Sequence, residues 1–62
     1  MFQIVLRSKF DARIVSIWRS GAGWHPSQGT KFATRVSAEE ELCNLRQSQP
    51  ANSARISVET AN

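Results

Sequence analysis

Between Gly23 and Lys31 the chain reads Gly23-Trp24-His25-Pro26-Ser27-Gln28-Gly29-Thr30-Lys31, a run with the ingredients of a phosphate-binding loop. The chemistry would need backbone N–H groups converging on an anion, with a lysine and a hydroxyl behind them. Here the glycines are one residue too far apart, lysine follows threonine instead of preceding it, and Pro26 removes a donor. The same residues serve a hairpin connection without adjustment, because glycine supplies the positive φ that tight turns require.

The remaining reactive groups are few. His25 and Cys43 are the single histidine and the single cysteine, short of the three or four ligands of a typical zinc site. As a nucleophile and base they would have to meet in space. Cys43 falls inside a helical pattern near its apolar stripe, where a buried, inert thiol is expected. The carboxylates Glu39, Glu40 and Glu41 are contiguous at the expected start of that helix and suit its dipole better than acid–base work. No catalytic residue, cofactor or metal is expected, and the reading is a protein that is not an enzyme.

The elements that would position these groups follow from periodicity. Phe2 to Arg7 alternates as a strand with Phe2, Ile4 and Leu6 on one face, and Arg13 to Arg19 is a second strand after a turn at Lys9–Ala12. The second strand has two possible facings, with either Val15 and Ile17 or Ile14 and Trp18 toward the core. A short third strand is expected around Thr30 to Ala33. Ser37-Ala38-Glu39-Glu40 has the form of a capping box opening a helix over Ser37–Ser48, with Thr34 as an alternative cap one turn earlier. Ala38, Leu42 and Leu45 form its apolar stripe, and Pro50 ends it. Ala54 to Thr60 closes the chain as a strand. The order β-β-β-α-β describes one α+β domain over residues 1–62: a three- or four-stranded antiparallel sheet with one helix on one face. Its expected core is Ile4, Leu6, Phe32, Leu42, Leu45, Ile56 and Val58.

At 62 residues such a domain has a thin margin of stability, so a monomer and a homodimer are both open. One cysteine permits no intrachain disulfide and fits a reducing cytoplasm. The longest apolar run, Ile4-Val5-Leu6, is far below the roughly 20 residues of a membrane span, and no membrane partner is expected.

Charge is distributed unevenly within a net of +3. Residues 37–48 hold three glutamates against Arg46, a net of −2, and the rest of the chain carries seven basic residues against Asp11 and Glu59, a net of +5. Arg7 and Arg55, joined by Arg13 or Arg19, fall on the strand positions opposite the core. A basic sheet face with an exposed tryptophan is one way to hold single-stranded nucleic acid. The plainer reading is a solvated polar face. Trp24, beside His25, is the tryptophan placed to meet a partner, although it can equally fold back as a lid on the sheet.

Gly23-Trp24-His25-Pro26, then Lys31-Phe32-Ala33-Thr34-Arg35, then Ala38-Glu39-Glu40-Glu41-Leu42, resembles small phage and prophage proteins of the anti-CRISPR type with a ββ(β)αβ layout. The resemblance is compositional and spans about residues 13–60. It implies an inhibitor or adaptor of a mobile element that occupies a surface of a host protein or ribonucleoprotein complex. Many such inhibitors are acidic DNA mimics, whereas this chain is basic. It would therefore cover an acidic protein patch or engage guide RNA or its target, with Trp24, His25, Arg7, Arg13, Arg19 and Arg55 as contact residues. The alternative is a nucleic-acid-binding module using the open sheet face.

Overall fold

The computed structural model describes residues 1–61. Strands β1 (Phe2–Arg7), β2 (Ile14–Arg19), β3 (Gly23–His25) and β4 (Ile56–Thr60) form one antiparallel sheet in the order β3-β2-β1-β4. Helix α1 (Arg35–Ser48) packs on one face, and a short 3₁₀ turn over Pro50–Asn52 leads from it into β4. This is the small α+β architecture that the strand and helix patterns imply.

The core lies between α1 and the alternate residues of the central strands. Ile4, Leu6, Leu42, Leu45 and Ile56 are buried together, with Trp18, Trp24, Phe32 and Val58 packed around them. Every residue expected in the core is there. On β2 it is Trp18 that turns to the helix. The strand pairs Val5 with Ile17 and Leu6 with Ser16, then slips so that Arg7 meets Ile14. That bulge inserts an extra residue at Val15, which is why no single alternation described this strand.

The third strand forms earlier than the composition of Thr30–Ala33 suggests. Gly21 (φ 80°) turns the chain after Arg19, the Ala22 N–H closes the turn on the Arg19 carbonyl at 3.0 Å, and Gly23 (φ 99°) re-enters the sheet opposite Arg19. Both φ values belong to the left-handed region that glycine occupies without strain. Pro26, lacking an N–H, stops the strand after three residues.

Thr30–Phe32 is instead a wedge. Phe32 exchanges two backbone bonds with Phe2 (2.8 and 2.7 Å), and the Thr30 N–H donates to the Trp18 carbonyl at 3.0 Å. The segment therefore fills the fork where β1 and β2 diverge, as an isolated bridge at Phe32.

The helix begins a turn before Ser37. Thr34 is the cap: its backbone is extended, and its hydroxyl accepts the Ser37 N–H at 3.2 Å. Phe32 is pinned to Phe2, so the chain turns immediately after it, and Arg35 in the first turn lies 5.1 Å over the Phe2 ring. Glu39–Glu41 consequently lie past the first turn, away from the strongest part of the dipole. Cys43 is exposed rather than buried, because the stripe of Ala38, Leu42 and Leu45 leaves it on the outer side of the helix.

Candidate functional site

The run from Trp18 to Phe32, which holds most of the unusual residues, is committed to structure. Trp18 and Trp24 face each other across β2 and β3 and meet edge to face, ring centroids 5.1 Å apart at 68°. Both indoles are anchored to the helical side. The Trp18 Nε1–H donates to the Glu41 carboxylate at 2.8 Å, and the Trp24 Nε1–H donates to the Gln49 side-chain oxygen at 3.0 Å. The same Glu41 oxygen accepts the Ser20 hydroxyl at 2.8 Å. Trp24 is thus the lid of the two alternatives. Glu41 is a clasp between α1 and the β2–β3 hairpin, a role that no local sequence pattern announces.

His25 follows Trp24 on β3 and so turns to the face opposite α1. Its Nδ1 accepts the Ser27 N–H at 3.1 Å and the Gln28 N–H at 2.9 Å, which fixes the turn at Pro26. The sheet stands between His25 and Cys43, so the two do not form a nucleophile and base pair. A groove of about 510 Å³ opens at the fork, lined by Gln3, Ile17, Gln28, Gly29 and Thr60 among others. Among the described residues no polar side chain is buried. The groove therefore lacks the convergent, desolvated polar groups that fix a small ligand.

The arginines of the open face are bound up in the fold. The Arg7 guanidinium pairs with the Glu59 carboxylate, Nε donating at 2.7 Å and Nη2 donating to the same oxygen, while Nη1 donates to the Ala12 carbonyl at 2.6 Å. Glu59 sits opposite Gln3, so this pair reaches across the row of Val5 and Ser57. That accounts for Val5 being fully buried on a face with no helix over it. The Arg55 Nε–H donates to the Arg7 carbonyl at 2.9 Å. Arg13, just before β2, and Arg19, its last residue, are both exposed.

What stands out instead is the β1–β2 hairpin. Phe10, at its tip, is 88% exposed, and Ile14 and Val15 at the bulge are 44% and 46% exposed. The tip is a built turn. Ala12 has φ 61°, the Ser8 hydroxyl accepts the Phe10 N–H at 3.1 Å, and Asp11 accepts the Arg13 N–H at 3.2 Å. Lys9 lies 5.3 Å over the Phe10 ring, and Asp11 and Arg13 line a shallow groove with Ile14 and Val15, so charged side chains flank these apolar residues. The expected contact residues include none of these three apolar side chains. A large aromatic inside the otherwise polar turn Ser8–Ala12 was the available signal for Phe10. Nothing local marks the bulge that turns out Ile14 and Val15.

The fold and this surface define a small α+β domain with its helix on one face of the sheet and exposed apolar residues in and beside the β1–β2 turn. No family model, curated protein or solved structure matches the chain. No helix among the described residues is long and apolar enough to cross a membrane.

Proposed function

We propose that this chain is a small non-enzymatic binding protein that occupies a surface of another protein, and that its β1–β2 hairpin makes the contact. The observation that carries this reading is the exposure of Phe10 in the β1–β2 turn and of Ile14 and Val15 where β2 begins, in a domain with few large apolar residues to spare. Exposed aromatic and aliphatic anchors with a charged rim are how protein interfaces concentrate their energy. Lys9 and Arg13 outweigh Asp11 between them by one positive charge, which favours an acidic partner surface. An inhibitor or adaptor role on a host protein or ribonucleoprotein complex, the one implied by the resemblance to small phage proteins, is compatible with such a surface.

The nucleic-acid reading is weakened from two directions. Both tryptophans are used on the helix side, and Arg7 and Arg55 make bonds within the sheet. The discriminating experiment titrates the protein against single-stranded DNA and RNA near 0.15 M salt, alongside capture of partners from nuclease-treated lysate. The protein-binding reading expects no nucleic-acid complex tighter than about 10 μM and a nuclease-resistant partner lost with Phe10→Ser. A complex tighter than about 1 μM with a steep salt dependence overturns it.

A further inference from the structure

The two edges of the sheet are protected unequally. On one side β3 is three residues long and ends at Pro26, two of the devices that keep an edge from pairing with another chain. On the other side β4 runs five residues without proline, lysine or bulge.

Backbone directions on β4 follow from β1. Phe2 gives both of its bonds to Phe32 on the β2 side, so Gln3, Val5 and Arg7 turn theirs to β4. The Arg7 N–H does reach the Arg55 carbonyl at 3.0 Å. On β4, therefore, Arg55, Ser57 and Glu59 face inward, and Ile56, Val58 and Thr60 point their backbone groups out of the sheet. The Ile56 carbonyl accepts a long 3.4 Å bond from Arg46 Nη2, consistent with that direction. Val58 and Thr60 have no outward backbone partner among the described residues.

We propose that β4 pairs antiparallel with β4 of a second copy, centred on Val58, giving a continuous eight-stranded sheet with both helices on one face. The register is self-complementary. Val58 exchanges its two bonds with the Val58 of the other copy, and Ile56 with its Thr60. On the open face each Ser57 lies opposite a Glu59, so the two glutamates are kept apart and a hydroxyl meets each carboxylate. Like charges never face each other across the pair, the arrangement that cross-strand energetics requires. On the helix face the opposed valines extend an apolar core that is small in one chain. The carbonyl of Ile56 has a second lone pair, so Arg46 keeps its bond. This proposal is independent of the hairpin reading, since it uses the backbone of a different strand.

The test is sedimentation equilibrium of the wild-type chain and of Thr60→Pro. Thr60 is exposed, its N–H points outward, and Glu59 before it is already extended, so proline removes the intermolecular donor and leaves the β1–β4 ladder intact. The expected result is twice the chain mass for the wild type and a single chain mass for Thr60→Pro, with the same far-ultraviolet circular dichroism. A wild type that stays at one chain mass at about 1 mM, or a folded Thr60→Pro that still doubles, overturns the proposal. Should Thr60→Pro fail to fold, amide exchange in the wild type decides. Val58 N–H protection should rise at least about tenfold with chain concentration while that of Val5 stays constant. Exchange at Val58 that is independent of concentration counts against it.

Discussion

On the helix side of the sheet, Trp18 and Trp24 bury their rings against the core and satisfy each indole N–H on α1 or just beyond it. At the other end of β2, Ile14 and Val15 expose nearly half their surface. One strand therefore runs through two environments, and the register shift between Leu6 and Arg7 divides them. Large side chains closed over by hydrogen-bonded partners hold the domain together. Those left open in and beside the turn have no such partners closing over them. The types of residue do not separate the two regions; the partners around them do.

The comparison breaks most directly at the core. Leu42→Ala should cost about 2–5 kcal/mol, because it empties space among Ile4, Leu45 and Ile56. Phe10→Ser should move stability by no more than about 0.5 kcal/mol, since the ring packs on little beyond Lys9. Urea unfolding of the two variants should therefore differ by several-fold in their shift, and equal shifts would erase the distinction between the regions.

Gly29→Ala is the next largest. An added Cβ would stand 2.1 Å from Ile17 Cγ2 and 2.7 Å from the Trp18 carbonyl oxygen, so the wedge between β1 and β2 must move. The cost should be about 1–3 kcal/mol, and a neutral melt would mean that the fork is not closed by this segment. Smaller still is the helix cap. Thr34→Ala should lose about 1 kcal/mol and Ser37→Ala less, because Thr34 holds the bond to the Ser37 N–H. The reverse order in a thermal melt would return the helix start to Ser37.

Much of the architecture was legible because it rests on local alternation and capping. The facing of β1 and β4, the stripe of α1 and its end before Pro50 all follow from side-chain period and from the geometry of proline. Other features depend on distant partners. Thr34 prevails over Ser37 because Phe32 is fixed to Phe2, thirty residues away in the chain. Trp24 becomes a lid because Gln49 offers its oxygen, and Arg7 is paired by Glu59. The candidate arginines and Trp24 stand out by residue type alone, and the structure gives Trp24, Arg7 and Arg55 bonds within the fold. The hairpin patch was hidden for the opposite reason. Ile14 and Val15 have the composition of core residues, and only a one-residue slip in pairing turns them outward.

The central claim is that binding runs through this hairpin while stability runs through the helix face. It is tested most directly by measuring, for Phe10→Ser combined with Val15→Ser, the affinity for the nuclease-resistant partner and the melting temperature of the same sample. The account predicts an affinity loss of at least about tenfold, some 1.4 kcal/mol, with melting within a few degrees of the parent. Unchanged affinity in a folded double variant would contradict it.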